Sequence, residues 1–342
     1  MRGALMYGPG DVRVDEREEP QIIEPTDAVI RVSAACVCGS DLWPYRGIGV
    51  EGADWPTVMG HEYVGVVEEV GEQVQTITAG QFVVGSFWAS DDTCEICRAG
   101  YHSACVNRVP MGALGAQADR LRVPLADGTL VPTPGTPADD LVPSLLSASD
   151  VLGTGWFGAV AAEAGPGKTV AVVGDGAVGL HAVLAADQLG AERIIAMSRH
   201  ESRQRLAREY GATDIVEERG DAGVEAIKEL TDGLGAHSVV EAVGTQESMM
   251  QAIHAARPGG HVGFVGVAHD VAVSGMDLFR SLVHLHGGPA PVRRFLPELI
   301  DRIWTRQIDP GKVFDLQLPL DEAAAGYRAM DDRDAIKVLL RP

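Results

Sequence analysis

Cys38, His61 and Asp150 carry the side-chain types that zinc binds, namely a thiol, an imidazole and a carboxylate. A zinc ion with three protein ligands keeps one position for water or substrate, which is the arrangement of a catalytic site. Glu62 directly follows His61 and brings a second carboxylate to the same segment. Spacing alone nominates Cys38 and His61, whereas the choice of Asp150 among 48 acidic residues depends on a family resemblance.

A second motif is the Gly-x-Gly-x-x-Gly run that begins at Gly174. Gly174 permits a tight turn, Gly176 lets the backbone approach a pyrophosphate, and Gly179 allows close packing of helix on strand. The motif alone is weak in a chain with 41 glycines. A β-branched run at 170–173 precedes it and an Ala-rich helix is expected at 178–189, and this context favours a dinucleotide site over a structural turn.

The residues that follow the next expected strand indicate whether the chain binds NAD or NADP. NAD enzymes usually place an acidic residue there to bind the ribose 2′-hydroxyl. This chain has Ser198 and Arg199 instead, with no acid before Glu201, and Arg203 follows one helical turn later. A hydroxyl and guanidinium groups match phosphate oxygens, so the sequence predicts NADP rather than NAD. The alternative is that both arginines simply solvate the start of a helix.

Residues 1 to about 145 contain short apolar runs between Gly and Pro turns, which indicates a β-rich region. The prolines between 124 and 143 favour a crossing segment over a buried sheet. From about 150 onward strands and helices alternate, which predicts a doubly wound parallel sheet. A helix over 295–306 and a strand over 336–340 then return to the first domain.

Four segments together carry a family resemblance: Cys38-Gly39-Ser40-Asp41, Gly60-His61-Glu62, Asp150 with Thr154-Gly155, and the glycine run. They resemble the zinc-dependent medium-chain alcohol dehydrogenases over essentially the whole chain, closest to the bacterial secondary-alcohol and polyol branch. The resemblance implies an α/β protein. Its β-rich GroES-like catalytic domain would comprise 1–148 and 290–342, and its Rossmann dinucleotide-binding domain 149–289.

The resemblance also implies residue roles in the catalytic site. Cys38, His61 and Asp150 would hold the catalytic zinc, and Glu62 would stand behind it as an alternate ligand. Ser40 matches the hydroxyl that relays the alcohol proton. Many family members have a histidine three residues later, where this chain has Trp43.

A second zinc lobe is expected from Cys94, Cys97 and Cys105, which keep the family spacing. Asp91 stands where the fourth cysteine of the family would be, and zinc accepts carboxylate ligands. The alternative is an empty lobe with three thiols.

The resemblance assigns further contacts. Trp43 and Trp88 would line an apolar substrate pocket, and Lys337 would reach the cofactor phosphates. The residues that would flank the nicotinamide are Thr154, Val178, Val243, Val265 and Val267.

The net charge of −20 argues against nucleic acid and anionic membranes as partners. No signal-peptide core and no membrane-length apolar run is seen. Five cysteines, an odd number, indicate metal ligands and free thiols in a cytoplasmic protein rather than a disulfide framework. By resemblance the chain is expected to form a homodimer or homotetramer.

These features predict an enzyme that interconverts an alcohol, secondary or apolar, and its ketone or aldehyde with NADP(H). A zinc polyol, threonine or aldehyde dehydrogenase that uses NAD is an alternative on the same fold. A non-catalytic nucleotide-binding relative is the alternative of another class, which the retained ligands and Ser40 disfavour.

Overall fold

The computed structural model describes residues 1–342, which form two compact units. Unit 1 comprises residues 1–150 and 291–342, and unit 2 comprises residues 151–290. No helix in either unit has both the length and the apolar character needed to span a bilayer.

The strands, in chain order, are β1 (Arg2–Gly8), β2 (Asp11–Glu16), β3 (Ala28–Cys36), β4 (Thr57–Val58), β5 (Tyr63–Val70), β6 (Phe82–Gly85), β7 (Trp88–Ala89), β8 (Val109–Pro110), β9 (Arg120–Val123), β10 (Leu130–Pro132), β11 (Thr169–Val173), β12 (Arg193–Met197), β13 (Asp214–Val216), β14 (Ala236–Glu241), β15 (Ala256–Phe264), β16 (His284–Gly287), β17 (Leu316–Pro319) and β18 (Val338–Arg341).

The α-helices are α1 (Leu42–Tyr45), α2 (Glu95–Arg98), α3 (Ala126–Thr129), α4 (Val142–Ala148), α5 (Val151–Ala161), α6 (Ala177–Gln188), α7 (Glu201–Glu209), α8 (Gly220–Glu229), α9 (Gln246–Ala255), α10 (Gly275–Ser281), α11 (Val292–Trp304) and α12 (Ala323–Asp331).

Unit 1 is built on a seven-stranded sheet in the order β10-β6-β5-β3-β18-β17, with β9 also paired to β3. Its pairs are antiparallel except for β17 with β18. The β-branched and small residues of β3 are almost all buried because β5, β9 and β18 all pair with this strand. β3 ends two residues before Cys38, and β5 begins directly after Glu62. The central pair of the sheet therefore delivers two of the predicted ligand segments.

The proline-rich segment differs in part from the expectation of a crossing segment. Residues 130–132 form β10, which pairs antiparallel with β6. The strand ends at Pro132 and lies at the edge of the sheet. Proline is tolerated there because an edge strand has one side without ladder hydrogen bonds.

The hydroxyl of Ser149 fixes the chain just before Asp150. It accepts a hydrogen bond from the Tyr63 N–H at 3.0 Å and donates one to the Gly85 carbonyl at 2.6 Å. All three residues are buried. The segment after α4 is thereby tied to the start of β5, which brings Asp150 to His61 and Glu62.

Unit 2 contains six parallel strands in the order β13-β12-β11-β14-β15-β16. Helices alternate with the strands, which confirms the predicted doubly wound sheet. The β11 residues 170–173 are all buried because a parallel sheet is covered on both faces. The carboxyl ends of parallel strands meet at one edge, so the glycine run, Ser198 and the loops after β14 and β15 lie along that edge.

Candidate metal centre and dinucleotide-binding loop

Four side chains of unit 1 converge on one point. The ligand atoms of Cys38, His61, Glu62 and Asp150 all lie within 4.8 Å of one another. The Asp150 Oδ2 is 3.2 Å from the His61 Nε2 and 4.0 Å from the Cys38 Sγ. The structure thus gathers the three predicted zinc ligands and the predicted alternate ligand into one cluster.

The chemistry of this cluster fits a divalent cation. Cys38, Glu62 and Asp150 are buried, and the Oε2 of Glu62 has no hydrogen-bond partner. Burial lowers the pKa of His61, but the nearby Cys38 and Asp41 outweigh this effect and raise it well above its usual value. An interior that favours positive charge this strongly, with sulfur, nitrogen and carboxylate donors, suits zinc.

Asp41 holds the ligand segment from behind, a role that the sequence analysis did not assign. Its Oδ2 accepts a hydrogen bond from the Cys38 N–H at 3.0 Å, and its Oδ1 lies 3.4 Å from the His61 Nδ1. The carboxylate therefore directs the Nε2 of His61 toward the cluster. A carboxylate behind a metal-binding histidine fixes the tautomer and orientation of the ring.

Lys337 forms a buried ion pair with Glu62, which corrects the predicted contact with cofactor phosphates. Its Nζ lies 2.7 Å from the Glu62 Oε1 and donates to the Val37 carbonyl at 3.1 Å. The exposed fractions of the Lys337 and Glu62 side chains are 1% and 0%. An ammonium group enclosed in this way within unit 1 is inaccessible to a phosphate.

Lys337→Met should destabilise the protein strongly because it leaves the Glu62 carboxylate buried without its counter-charge. We expect the free energy of unfolding to fall by about 3–5 kcal/mol. The double variant with Glu62→Gln should recover part of that loss. Urea unfolding followed by circular dichroism measures both changes.

Lys312→Met is the matched control for this measurement. Lys312 pairs with Asp309 at 3.7 Å on the surface, where both side chains are about half exposed. An exposed pair of this kind contributes about 0–1 kcal/mol. An equal effect of Lys312→Met and Lys337→Met would contradict a stabilising role for the buried pair.

Phe87 and Trp88 form an aromatic pair beside the predicted metal ligand His61. Phe87, which the sequence analysis did not single out, presents its ring edge to His61 with centroids 6.1 Å apart. Trp88 packs beside Phe87 and has the guanidinium of Arg108 5.5 Å from its ring centroid. The Phe87 ring thus lies next to the predicted metal ligand His61.

Ser40 lies in the short 3-10 turn Gly39–Asp41, and Trp43 lies in α1 directly after it. Both side chains are half-buried.

The glycine run adopts the strand–turn–helix form. Gly174 has φ +117°, and a Cβ there would lie 2.8 Å from a methyl group of Val243. A Cβ on Gly179 would overlap the carbonyl oxygen of Gly174. Gly176, the N-cap residue of α6, has no atom within 4 Å of its would-be Cβ. The turn is therefore tight on its inner side and open at Gly176, which fits a pyrophosphate at the helix N-terminus.

Asp175, inside the glycine run, contacts two of the residues predicted to select NADP. Its Oδ2 accepts a hydrogen bond from the Ser198 hydroxyl at 2.7 Å, and its Oδ1 lies 3.3 Å from the Arg203 guanidinium. The side chains of Asp175 and Arg203 are each 12% exposed. Arg199, by contrast, is exposed and has no ion-pair partner. The ribose end of the loop thus holds an acid that the sequence analysis overlooked.

The predicted nicotinamide-flanking residues lie on loops of unit 2 or on its helices α5 and α6. Glu241 joins two of these loops. Its Oε1 accepts hydrogen bonds from the N–H groups of Val243 and Gly244, and its carbonyl accepts one from Val265, each at 2.8 Å. Val243 and Val267 are exposed, whereas Val265 and Thr154 are buried.

Asp91, Cys94, Cys97 and Cys105 form a second cluster with ligand atoms within 4.8 Å of one another. Burial raises the pKa of Asp91, but hydrogen bonds from the N–H groups of Cys94 and Thr93 and from the Asn107 amide bring it well below its usual value. Asp91 is therefore ionised, as a metal ligand must be.

A metal cluster in a GroES-like β-rich unit and a glycine loop in a Rossmann unit define a zinc-binding dehydrogenase. The alcohol dehydrogenase GroES-like domain family matches residues 24–135, and the zinc-binding dehydrogenase family matches residues 177–302. A probable zinc-binding alcohol dehydrogenase of Mycobacterium tuberculosis is 38% identical, over 100% of this chain and 89% of the relative.

Two further relatives are similar along their full length. The NADP-dependent isopropanol dehydrogenase of Thermoanaerobacter brockii is 31% identical, over 100% of this chain and 99% of that protein. The structure of an alcohol dehydrogenase from Thermus sp. ATN1 has a TM-score of 0.89 and 32% identity, covering 100% of this chain and 99% of the other. The chain belongs to the zinc-dependent medium-chain alcohol dehydrogenase family and is an oxidoreductase.

Proposed function

We propose that this protein interconverts a secondary or otherwise apolar alcohol and its carbonyl compound, with a catalytic zinc and NADP(H). The observation that carries this proposal is the convergence of Cys38, His61, Glu62 and Asp150 in unit 1. The ring of Phe87 against His61 supports an apolar substrate. The Thermoanaerobacter brockii relative, named for isopropanol, supports a secondary alcohol.

Different residues of the chain have different roles in this reaction. A bound zinc would supply Lewis-acid polarisation of the substrate oxygen, and a bound nicotinamide cofactor would supply hydride transfer. Cys38, His61 and Asp150 would hold the metal, and the thiolate and carboxylate would neutralise its charge. Asp41 orients His61, and the Lys337 ammonium group pairs with the Glu62 carboxylate behind the ligands. The Ser40 hydroxyl would accept the alcohol proton at its Oγ while passing its own hydroxyl proton on to the next acceptor of the relay.

An activity screen of alcohols and carbonyl compounds with both nicotinamide cofactors tests the proposal. We expect turnover of short secondary alcohols and their ketones, followed by absorbance of the reduced cofactor at about 340 nm. Cys38→Ser should lower kcat by at least about a thousandfold, because one of three zinc ligands is lost. Full turnover by Cys38→Ser would refute the zinc mechanism.

Cys36→Ser is a matched control for that variant, since Cys36 is a buried thiol two residues away that lies outside the cluster of ligand atoms. The comparison separates loss of a ligand from the general effect of replacing a buried thiol. Turnover of polyols or threonine alone, with NAD, would support the alternative dehydrogenase instead. Absence of turnover despite bound zinc and cofactor would support a non-catalytic relative.

The NADP proposal rests on Ser198, Arg199 and Arg203 at the end of β12 and the start of α7. Arg199 is exposed and unpaired, so its charge is available to a 2′-phosphate. The NADP-dependent relative from Thermoanaerobacter brockii supports the same cofactor. Asp175 opposes it, because its carboxylate neutralises Arg203 and would repel a phosphate beside Ser198.

Asp175→Asn should therefore strengthen the preference for NADP. The variant keeps an oxygen that accepts from Ser198 but releases the charge of Arg203. We expect the ratio of kcat/KM for NADP to that for NAD to rise roughly tenfold, the value of one charge-assisted hydrogen bond. Steady-state kinetics with both cofactors measure this ratio.

Asp221→Asn, an exposed aspartate of unit 2, is the control and should leave the cofactor ratio unchanged. A wild-type preference for NAD of tenfold or more would contradict the role assigned to Ser198 and Arg199. An unchanged ratio in Asp175→Asn would show that Asp175 does not face the ribose.

The lobe of Asp91, Cys94, Cys97 and Cys105 is proposed to hold a second, structural zinc. Metal analysis should give two zinc ions per chain in the wild type and one in Asp91→Ala, whereas Asp91→Cys should retain both because a thiolate replaces the carboxylate. A single zinc in the wild type that Cys38→Ser removes would show that the lobe is empty.

A homodimer or homotetramer is proposed for the assembled enzyme. β16 is the terminal strand of its sheet. The nearby α10 segment exposes Met276, Phe279 and Leu282, and 76% of Phe279 is accessible. An open sheet edge beside apolar side chains favours pairing with a second copy of the chain.

A further inference from the structure

A buried pair of residues, Gln117 and Tyr327, lies behind Asp41. Neither belongs to the cluster of ligand atoms, and both are 0% exposed. Gln117 is on the segment before β9, and Tyr327 is on α12. Both are far from Asp41 in sequence, yet the folded chain places them in one hydrogen-bonded chain with it.

Both the nitrogen and the oxygen of the Gln117 side-chain amide form hydrogen bonds. Its Nε2 donates to the Cys36 carbonyl at 3.0 Å and to the Asp41 Oδ2 at 3.3 Å. Its Oε1 accepts from the Tyr327 hydroxyl at 3.1 Å. The Nε2 faces two acceptors and the Oε1 faces one donor, so only an amide in this orientation satisfies all three neighbours.

The backbone of Gln117 also holds the segment that leads into His61. Its N–H donates to the Met59 carbonyl at 3.0 Å, and the preceding Ala116 N–H donates to the Gly60 carbonyl at 2.9 Å. Gly60 has φ +90°, and a Cβ there would overlap the Gln117 side chain and lie 2.9 Å from its backbone nitrogen. One residue thus fixes both the backbone before His61 and the carboxylate that faces the His61 ring.

Tyr327 supplies a permanent donor to this arrangement. Burial, followed by the nearby Asp41 carboxylate, raises the pKa of Tyr327 well above its usual value, so the hydroxyl keeps its proton. Its ring packs against Tyr45 of α1 with centroids 5.4 Å apart. The helix that carries Tyr327 is therefore anchored beside the metal-binding segment.

We propose that Gln117 and Tyr327 are positioning residues that set the affinity of the catalytic site for its metal, acting through Asp41 on His61. The proposal deepens the zinc site of the proposed function and depends on it. Loss of the amide removes one of the two hydrogen bonds to the Asp41 Oδ2, the other coming from the Cys38 N–H, so the carboxylate holds the His61 imidazole less firmly. Residues that orient a metal-binding histidine typically change metal affinity about 10- to 100-fold when they are replaced.

Chelator competition on the purified, zinc-loaded protein tests this. Zinc release to a chromogenic chelator is compared with that of Cys38→Ser, and the zinc that Cys38→Ser lacks is assigned to the catalytic site. Gln117→Leu should raise the zinc dissociation constant of that site about 10- to 100-fold. Tyr327→Phe, which loses only a hydroxyl, should raise it by a smaller factor in the same direction.

A spectroscopic measurement separates positioning from general destabilisation. With cobalt in the catalytic site, the visible absorption bands of Gln117→Leu and Tyr327→Phe should shift, because the orientation of the histidine ligand alters the field at the metal. Gln251→Leu is the matched control, because Gln251 is a buried glutamine of unit 2 whose amide bonds to Met197 and Gly220. It should change neither zinc affinity nor the cobalt bands.

Zinc affinity within twofold of wild type and unaltered cobalt bands in the Gln117 variant would overturn the proposal. If Gln117→Leu does not fold, the same two measurements on Tyr327→Phe decide it, since that variant keeps the buried ring. Failure of the metal site itself is recognised separately: Cys38→Ser would then release as much zinc as the wild type.

Discussion

The interior of unit 1 concentrates negative charge around one imidazole, and the rest of the structure is arranged about that imbalance. Cys38, Glu62 and Asp150 are buried together, and Lys337 is the buried cation among them. Burying uncompensated charge is costly, so each excess negative group must either gain a positive partner or be protonated. Lys337 meets this need for Glu62, and a divalent metal meets it for the thiolate and Asp150. The stability of the catalytic unit and its capacity to bind zinc therefore have one electrostatic origin.

Unit 2 makes room for a pyrophosphate through the geometry of its backbone rather than through buried charge. Its parallel sheet brings the carboxyl ends of the strands to one edge, and the glycine run removes side chains where a pyrophosphate must approach. Specificity is then left to a few polar side chains at that edge. Asp175 is an example, because its carboxylate within the glycine run pairs with Arg203, one of the two arginines predicted to select NADP.

Sequence patterns predicted the secondary-structure elements and ligand residues that depend on short segments of the chain. The β-branched run before Gly174 predicted β11, the Ala-rich run at 178–189 predicted α6, and motif residues named the ligands that the fold brings together. Contacts between distant segments were not predictable in this way. Lys337 was wrongly assigned to cofactor phosphates because nothing in the sequence reveals how deeply a lysine is buried. Asp175, Asp41 and Gln117 were overlooked because their roles appear only when separate segments pack together. The edge strand β10 was missed because Pro132 ends it and the prolines around it favoured a crossing segment.

The discontinuity of unit 1 has a consequence for biosynthesis. Lys337 follows its partner Glu62 by 275 residues, and β18, which pairs with β3 beside Cys36, comes from the same late segment. The ribosome makes all of unit 2 between these two halves. Unit 2 is a contiguous segment and can complete its sheet during translation. The metal-binding half must wait with an unpaired edge on β3 and an uncompensated Glu62. The complete catalytic unit, with Glu62 paired to Lys337 and β18 paired to β3, therefore forms only after residues 291–342 have been released.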